Sequence, residues 1–176
     1  LGVIDGLGLG QGASVLEVGP GEGQLLTLLA SKFGDLTALD NSSDMLERSR
    51  QAIKASGAES VKLILGDTST AIKEQVSSDL IVFDMVLHHI SSPARTFRDC
   101  AELLRENGYL LLVELSPHDQ DWVRDTCGDL WLGFEENDLN HWAQKANFKI
   151  GQSSFLSLRN GFQIQIRVFQ KETHGT

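Results

Sequence analysis

The sequence predicts a doubly wound α/β fold, a mostly parallel, seven-stranded sheet that ends in a C-terminal antiparallel hairpin. Three observations predict it. Five apolar, β-branched runs alternate with helical patterns, which implies parallel pairing through right-handed crossovers. A glycine-rich turn follows the first run and opens a helix. Near the end, two more strand-like runs follow one another with Asn160-Gly161 between them, a strong hairpin signal.

Taken in order, the first strand is expected near Ala13 to Val18, with a helix starting near Glu22 after the glycine turn. A second strand near Leu36 to Asp40 leads to a helix over Ser42 to Ala55, in which Met45, Leu46, Ser49, Ala52 and Ile53 share one face. Strands near Val61 to Leu65 and Leu80 to Phe83 come next. The spacing of Phe97, Ala101 and Leu104 predicts a helix over Ala94 to Arg105, with Ser92 as N-cap, Pro93 as first helical residue and Gly108 closing the exit. A fifth strand, Tyr109 to Leu115, precedes a helix containing Leu139, Trp142, Ala143 and Ala146. The last two strands run from Phe148 to Leu156 and from Phe162 to Phe169.

With 176 residues, 41% of them hydrophobic, the chain is long enough for one domain, residues 1–176, with a core of useful size. The apolar stretch Tyr109 to Val113 falls far short of the roughly 18 residues of a membrane span. Acidic side chains outnumber basic ones by 24 to 15, a net charge of −9, and no Lys or Arg occurs in the first 31 residues. Nucleic acid is therefore not an expected partner of this domain, whereas a cationic ligand is well matched. Cys100 and Cys127 lack CxxC spacing, which favours reduced thiols and a cytoplasmic location. Because residue 1 is Leu rather than Met, the chain is expected to start inside a longer one, with an N-terminal segment missing.

The most informative stretch is Val15-Leu16-Glu17-Val18-Gly19-Pro20-Gly21-Glu22-Gly23. Glycines let the backbone approach a nucleotide-like ligand and offer N–H groups at a helix N-terminus, although a tight strand-to-helix turn alone would also use them. Two details separate the loop from a diphosphate cradle. Gln24 stands where a third glycine would be, and Glu17 and Glu22 flank the turn without a nearby cation. A carboxylate about 5 Å from a phosphate costs about 0.8 kcal/mol even at the dielectric of water. S-adenosylmethionine carries a sulfonium and an ammonium but no phosphate, so the same acids favour it.

Asp40 ends the next strand, where a carboxylate can accept hydrogen bonds from ribose hydroxyls; Asp40-Asn41-Ser42 could equally cap the helix that follows. Gly66-Asp67 ends the third strand, placed either to meet an adenine amine or to make a plain turn. All three strand ends share one edge of the sheet, where ligands of parallel sheets bind.

These segments, with Met45-Leu46, Asp79 to Ile90 and Leu103 to Leu112, resemble the ordered motifs of class I S-adenosylmethionine-dependent methyltransferases. The resemblance implies that Glu17, Gly19 and Gly21 surround the methionine part. It places Asp40 at the ribose, Met45 on the adenine face and Asp67 at the adenine amine, and it counts Asn41 and Asp84 among the cofactor-binding residues. Leu87-His88-His89-Ile90 followed by Pro93 is similar to the quinone-biosynthesis group. Pro117-His118-Asp119, Trp122, Gly128 and Trp131-Leu132-Gly133-Phe134 resemble the methyltransferase domain fused behind ArsR-type winged-helix regulators. Glu135-Glu136 departs from the Ser-Pro helix start of those relatives, which leaves that boundary open.

Methyl transfer is an in-line displacement at an activated sulfonium, so it depends chiefly on alignment. A base is needed only where the acceptor must lose a proton. Asp84, His88 and His89 follow the fourth strand and Glu114 and His118 the fifth; His89 and His118 are the catalytic candidates. No metal is expected, because His88, His89, His118 and Asp119 match no ligand signature. His141 and His174 are read as surface residues. Trp122, Trp131, Phe134 and Trp142 are read as satellite core, the alternative being an apolar wall with cation–π contact to the sulfonium.

The expected partner is a small-molecule methyl acceptor; a homodimer and an attached winged-helix domain are also admitted. The rival class is a binding module that senses S-adenosylmethionine or S-adenosylhomocysteine for a regulator without turnover. A third alternative is an NAD-type oxidoreductase.

Overall fold

The computed structural model describes residues 1–58, 60–118 and 131–173; Asp119, Trp122, Cys127, Gly128 and His174 lie outside them. Seven strands form one sheet: β1 (Ser14–Val18), β2 (Asp35–Asp40), β3 (Val61–Leu65), β4 (Ser78–Asp84), β5 (Leu104–Leu115), β6 (Phe148–Ser157) and β7 (Gln163–Lys171). Their spatial order is β3-β2-β1-β4-β5-β7-β6. Strands β1 to β5 pair in parallel, while β7 runs antiparallel to both β5 and β6. The sheet is thus the mixed, mostly parallel one expected. Strand order reverses at β1 and β4, so a crevice opens at their carboxyl ends.

Among the described residues the helices are α1 (Gly2–Asp5), α2 (Gln24–Ala30), α3 (Ser43–Ser56), α4 (Thr68–Lys73), α5 (Pro93–Leu103) and α6 (Glu136–Lys145), with a 3-10 turn at Leu87–His89. All five residues of β1 are buried, as a central strand covered on both faces requires. Side chains alternate between the faces. Val15, Leu36, Leu80 and Val82 pack with Leu26, Leu29 and Ile53 of α2 and α3. On the other face, Leu16, Ile81, Phe83 and Leu112 pack with Ala71, Phe97 and Leu139 of α4, α5 and α6.

Several boundaries differ from the sequence expectation. Helix α2 starts at Gln24 rather than near Glu22, because Gly19, Gly21 and Gly23 all hold left-handed backbone (φ 70°, 58° and 88°) and delay the first helical turn. Helix α5 ends at Leu103, and Gly108 lies within β5 rather than capping the helix. There Asn107 takes the positive φ, and a Cβ on Gly108 would come within 2.9 Å of the Arg105 carbonyl oxygen. Ser92 precedes α5 but makes no side-chain cap bond. The β6–β7 connection spans residues 158–162, longer than a two-residue turn. In it the Leu158 N–H donates to the Phe162 carbonyl at 2.8 Å, and Gly161 supplies φ 87°. Helix α6 begins at Glu136, which settles the boundary left open above.

Residues 131–134 dock against the ends of β4 and β5. The Phe134 N–H donates to the Leu115 carbonyl at 3.0 Å and the Trp131 N–H to the His88 carbonyl at 3.2 Å. Gly133 lies between them at φ 85°, where a Cβ would fall 2.1 Å from the Ser116 backbone oxygen. Neither backbone can give way easily. Gly133→Ala is expected to lower stability by about 2 to 4 kcal/mol, read as a shifted urea midpoint. Trp131, Phe134 and Trp142 form a mutual cluster with ring centroids 5.5 to 6.1 Å apart and do not line the cavity described next, so they act as satellite core.

Candidate functional site

A cavity of about 920 Å³ opens at the carboxyl ends of β1, β2, β3 and β4. It gathers Glu17, Gly19, Gly21, Asp40, Asn41, Met45, Asp67, Asp84 and His89, all singled out from the sequence. It does not gather His118. After β5 the chain leans towards the hairpin, with the Ser116 N–H donating to the Gln163 carbonyl at 2.8 Å. The His118 ring consequently stands edge-on to Phe162, centroids 4.8 Å apart, rather than at the cavity wall.

The glycine loop is held in place from two sides. A Cβ on Gly19 would lie 2.7 Å from a Val86 methyl carbon, so only glycine lets the β4 loop come this close. The Ser49 hydroxyl of α3 donates to the Gly21 carbonyl at 3.0 Å. Met45 sits in the first turn of α3, whose N-cap is Ser42; the Ser42 hydroxyl accepts from the Met45 N–H at 3.3 Å. Asp40 Oδ1 accepts from the Ser42 N–H at 3.0 Å. Capping by Ser42 and a cavity-facing Asp40 therefore coexist. Asp67 is the N-cap of α4, a short helix missing from the sequence reading. Its Oδ1 accepts from the Thr70 N–H at 3.1 Å and from the Ser69 hydroxyl at 2.5 Å, and the Ser69 bond above all lowers its pKa. The spacing Asp67-x-x-Thr70 is a capping-box signal that could have found α4.

Acidic side chains outnumber cations along the cavity, but Arg95 also lines it and Arg48 of α3 reaches Glu22 at 3.4 Å, so Glu22 has the nearby cation that the sequence did not lead one to expect. Glu17 is 1% exposed and its buried Oε1 has no hydrogen-bond partner among the described residues. Burial, aided by the neighbouring Asp84 charge, lifts its pKa from the ordinary 4.5 to about 8. The Asp84 pKa is also raised, first by burial and then by Glu114.

Behind this wall lies a pairing that the sequence reading missed. Glu114 of β5 is completely buried; one oxygen contacts His88 Nδ1 and accepts from the Leu115 N–H at 3.0 Å. Its other oxygen accepts from the His88 N–H at 3.3 Å. The His88 ring lies 4.2 Å, centroid to centroid, from that of His89, which faces the cavity. A carboxylate thus fixes one imidazole, which packs on the next. Among the described residues no group of three metal-ligating side chains converges.

An acidic nucleoside pocket on a doubly wound sheet is what fold and site define together. Comparison with known proteins makes this specific. Residues 16–112 match the family described as methyltransferase domain. Over 114 residues the chain is 39% identical to the malonyl-[acyl-carrier protein] O-methyltransferase of Neorickettsia risticii, covering 64% of this chain and 42% of that protein. It is 32% identical over 149 residues to a polyketide synthase-nonribosomal peptide synthetase of Aspergillus clavatus, covering 74% of this chain but 4% of the synthetase. In fold it matches the magnesium protoporphyrin IX methyltransferase of Synechocystis, solved with bound S-adenosylhomocysteine, at TM-score 0.79 and 18% identity, over 97% of this chain and 80% of that one. The chain belongs to the methyltransferase-domain family, with S-adenosylmethionine as the cofactor that the family implies.

Proposed function

We propose that this domain transfers the methyl group of S-adenosylmethionine to a small-molecule acceptor that gives up a proton. The observation that carries this reading is the buried, unpartnered Glu17 oxygen beside a glycine cradle, in a cavity where a cation is favoured. When bound, S-adenosylmethionine supplies a methyl group on a sulfonium, already activated for displacement. Glu17 would face its ammonium, Gly19 and Gly21 its methionine part, Asp40 and Asn41 the ribose, and Met45 and Asp67 the adenine. On the acceptor side His89 takes the proton, and Glu114 sets the orientation of His88 and thereby of the His89 ring.

Finer kinship rests on the sequence motifs: Leu87-His88-His89-Ile90 favours quinone-type acceptors, and Pro117-His118 with Trp131 to Phe134 favours the ArsR-fused domains. Because the Neorickettsia relative is a malonyl-[acyl-carrier protein] O-methyltransferase, carrier thioesters belong in the acceptor panel. The test is formation of S-adenosylhomocysteine over that panel. Cofactor binding without product from any acceptor would favour the sensing alternative instead.

Asp40→Ala is expected to weaken S-adenosylmethionine binding by about 1 to 3 kcal/mol in a calorimetric titration, through loss of charged hydrogen bonds. Unchanged affinity would remove the ribose assignment.

A further inference from the structure

The base end of the cavity carries a link that the cofactor assignment does not use. Thr68, the first residue of α4, is 7% exposed, and its hydroxyl donates to Asp99 Oδ2 of α5 at 2.7 Å. Both residues line the cavity beside Asp67. Asp67 is also braced from its own side: Thr70 returns a hydroxyl to the Asp67 N–H at 3.2 Å, and Gly66, at φ 150°, has no room for a Cβ, which would lie 2.2 Å from Thr70 Oγ1. The first turn of α4 is therefore pinned at two points, its capping box and the cross-link to α5.

We propose that Asp99 is a positioning residue for recognition of the exocyclic amine of the cofactor's purine, acting through Thr68 to hold the Asp67 carboxylate at the cavity wall. The inference rests on the cofactor reading above. A carboxylate recognises an amine donor only if it cannot swing away, because an exposed side chain that loses rotamer freedom on binding forfeits much of the gain. Asp67 is exposed and its carboxylate is fixed to the first turn of α4 by Ser69 and Thr70, so its place at the wall depends on where that turn sits, and Thr68–Asp99 is a side-chain bond that ties the turn to α5.

The experiment compares binding of S-adenosylhomocysteine and S-inosylhomocysteine, whose base carries an oxygen in place of the amine. Calorimetry is run on the whole chain, on Asp99→Ala and on Asp99→Asn, which keeps an oxygen for Thr68. The expected wild-type preference for the adenosyl compound is about tenfold or more. Asp99→Ala should lower affinity for the adenosyl compound about fivefold to tenfold and leave the inosyl compound nearly unchanged, and Asp99→Asn should restore most of the preference. Equal losses for both compounds, or a preserved preference in Asp99→Ala, overturn the proposal while leaving the cofactor reading intact. A wild-type chain that binds neither compound overturns both.

Discussion

Replacing His89 by alanine is expected to lower methyl-transfer turnover by about 100- to 10,000-fold while S-adenosylmethionine affinity stays close to wild type. The magnitude is that of a positioned general base. The split between turnover and affinity follows from place, because His89 lines the cavity after β4 whereas the residues assigned to the methionine part, ribose and adenine lie at or just after the ends of β1, β2 and β3 or in α3, and only Asp84 of the cofactor candidates shares β4. Glu114→Gln should reproduce part of the loss, since it removes the carboxylate that holds His88 but leaves His89 in the wall. Single-turnover measurements on preloaded enzyme separate the chemical step from binding. An acceptor that needs no deprotonation should be affected far less, and a His89→Ala enzyme at wild-type rate on a proton-losing acceptor would rule the base out.

The second large effect concerns Glu17. The unfolded chain releases this proton near pH 4.5, the folded one only near pH 8, so between these values the folded state holds one more proton. The corresponding stabilisation is complete below about pH 4.5 and is lost as pH rises through about 8, on the order of 5 kcal/mol in all. Urea unfolding at pH 5, 6, 7 and 8 should show Glu17→Gln gaining on the wild type with each step, because glutamine carries no such dependence. Asp84 is shifted in the same direction and remains in both proteins, so the difference reports Glu17 together with its coupling to Asp84. A constant gap between the two proteins would contradict the buried carboxyl. Cofactor binding below pH 8 should also release a proton, visible as a calorimetric heat that varies with the buffer.

Much of this site was legible because it is local in sequence. The loop from Val15 to Gly23 announces its own geometry, since three left-handed residues in a short stretch demand glycine, and Asp40 is marked simply by ending β2 and Asp67 by closely following β3. What was not legible depends on long-range placement. His88 and Glu114 stand 26 positions apart and meet only when β4 and β5 lie side by side. His118 and His89 both follow a strand, and nothing in their spacing tells that one strand end borders the cavity and the other leans on the hairpin. Helix α4 was lost for a different reason: its six residues, Thr68–Lys73, are too few for a clear hydrophobic period, and only the cap betrays it. Gly108 misled because glycine after a helix usually caps it, whereas here close passage of the Asp79 and Arg105 carbonyls excludes a side chain.

The place of β7 has a consequence for how the chain acquires its shape. In chain order the last of the described strands, β7, is the one wedged between β5 and β6, and among the described residues β6 bonds to no other strand. Until Gln163–Lys171 emerges, β5 presents a bare rim and β6 dangles without a neighbour, so the sheet cannot close during synthesis before that segment is made. Nascent chains halted before residue 163 should engage chaperones and succumb to proteases, whereas those released with β7 complete, beyond residue 171, should not.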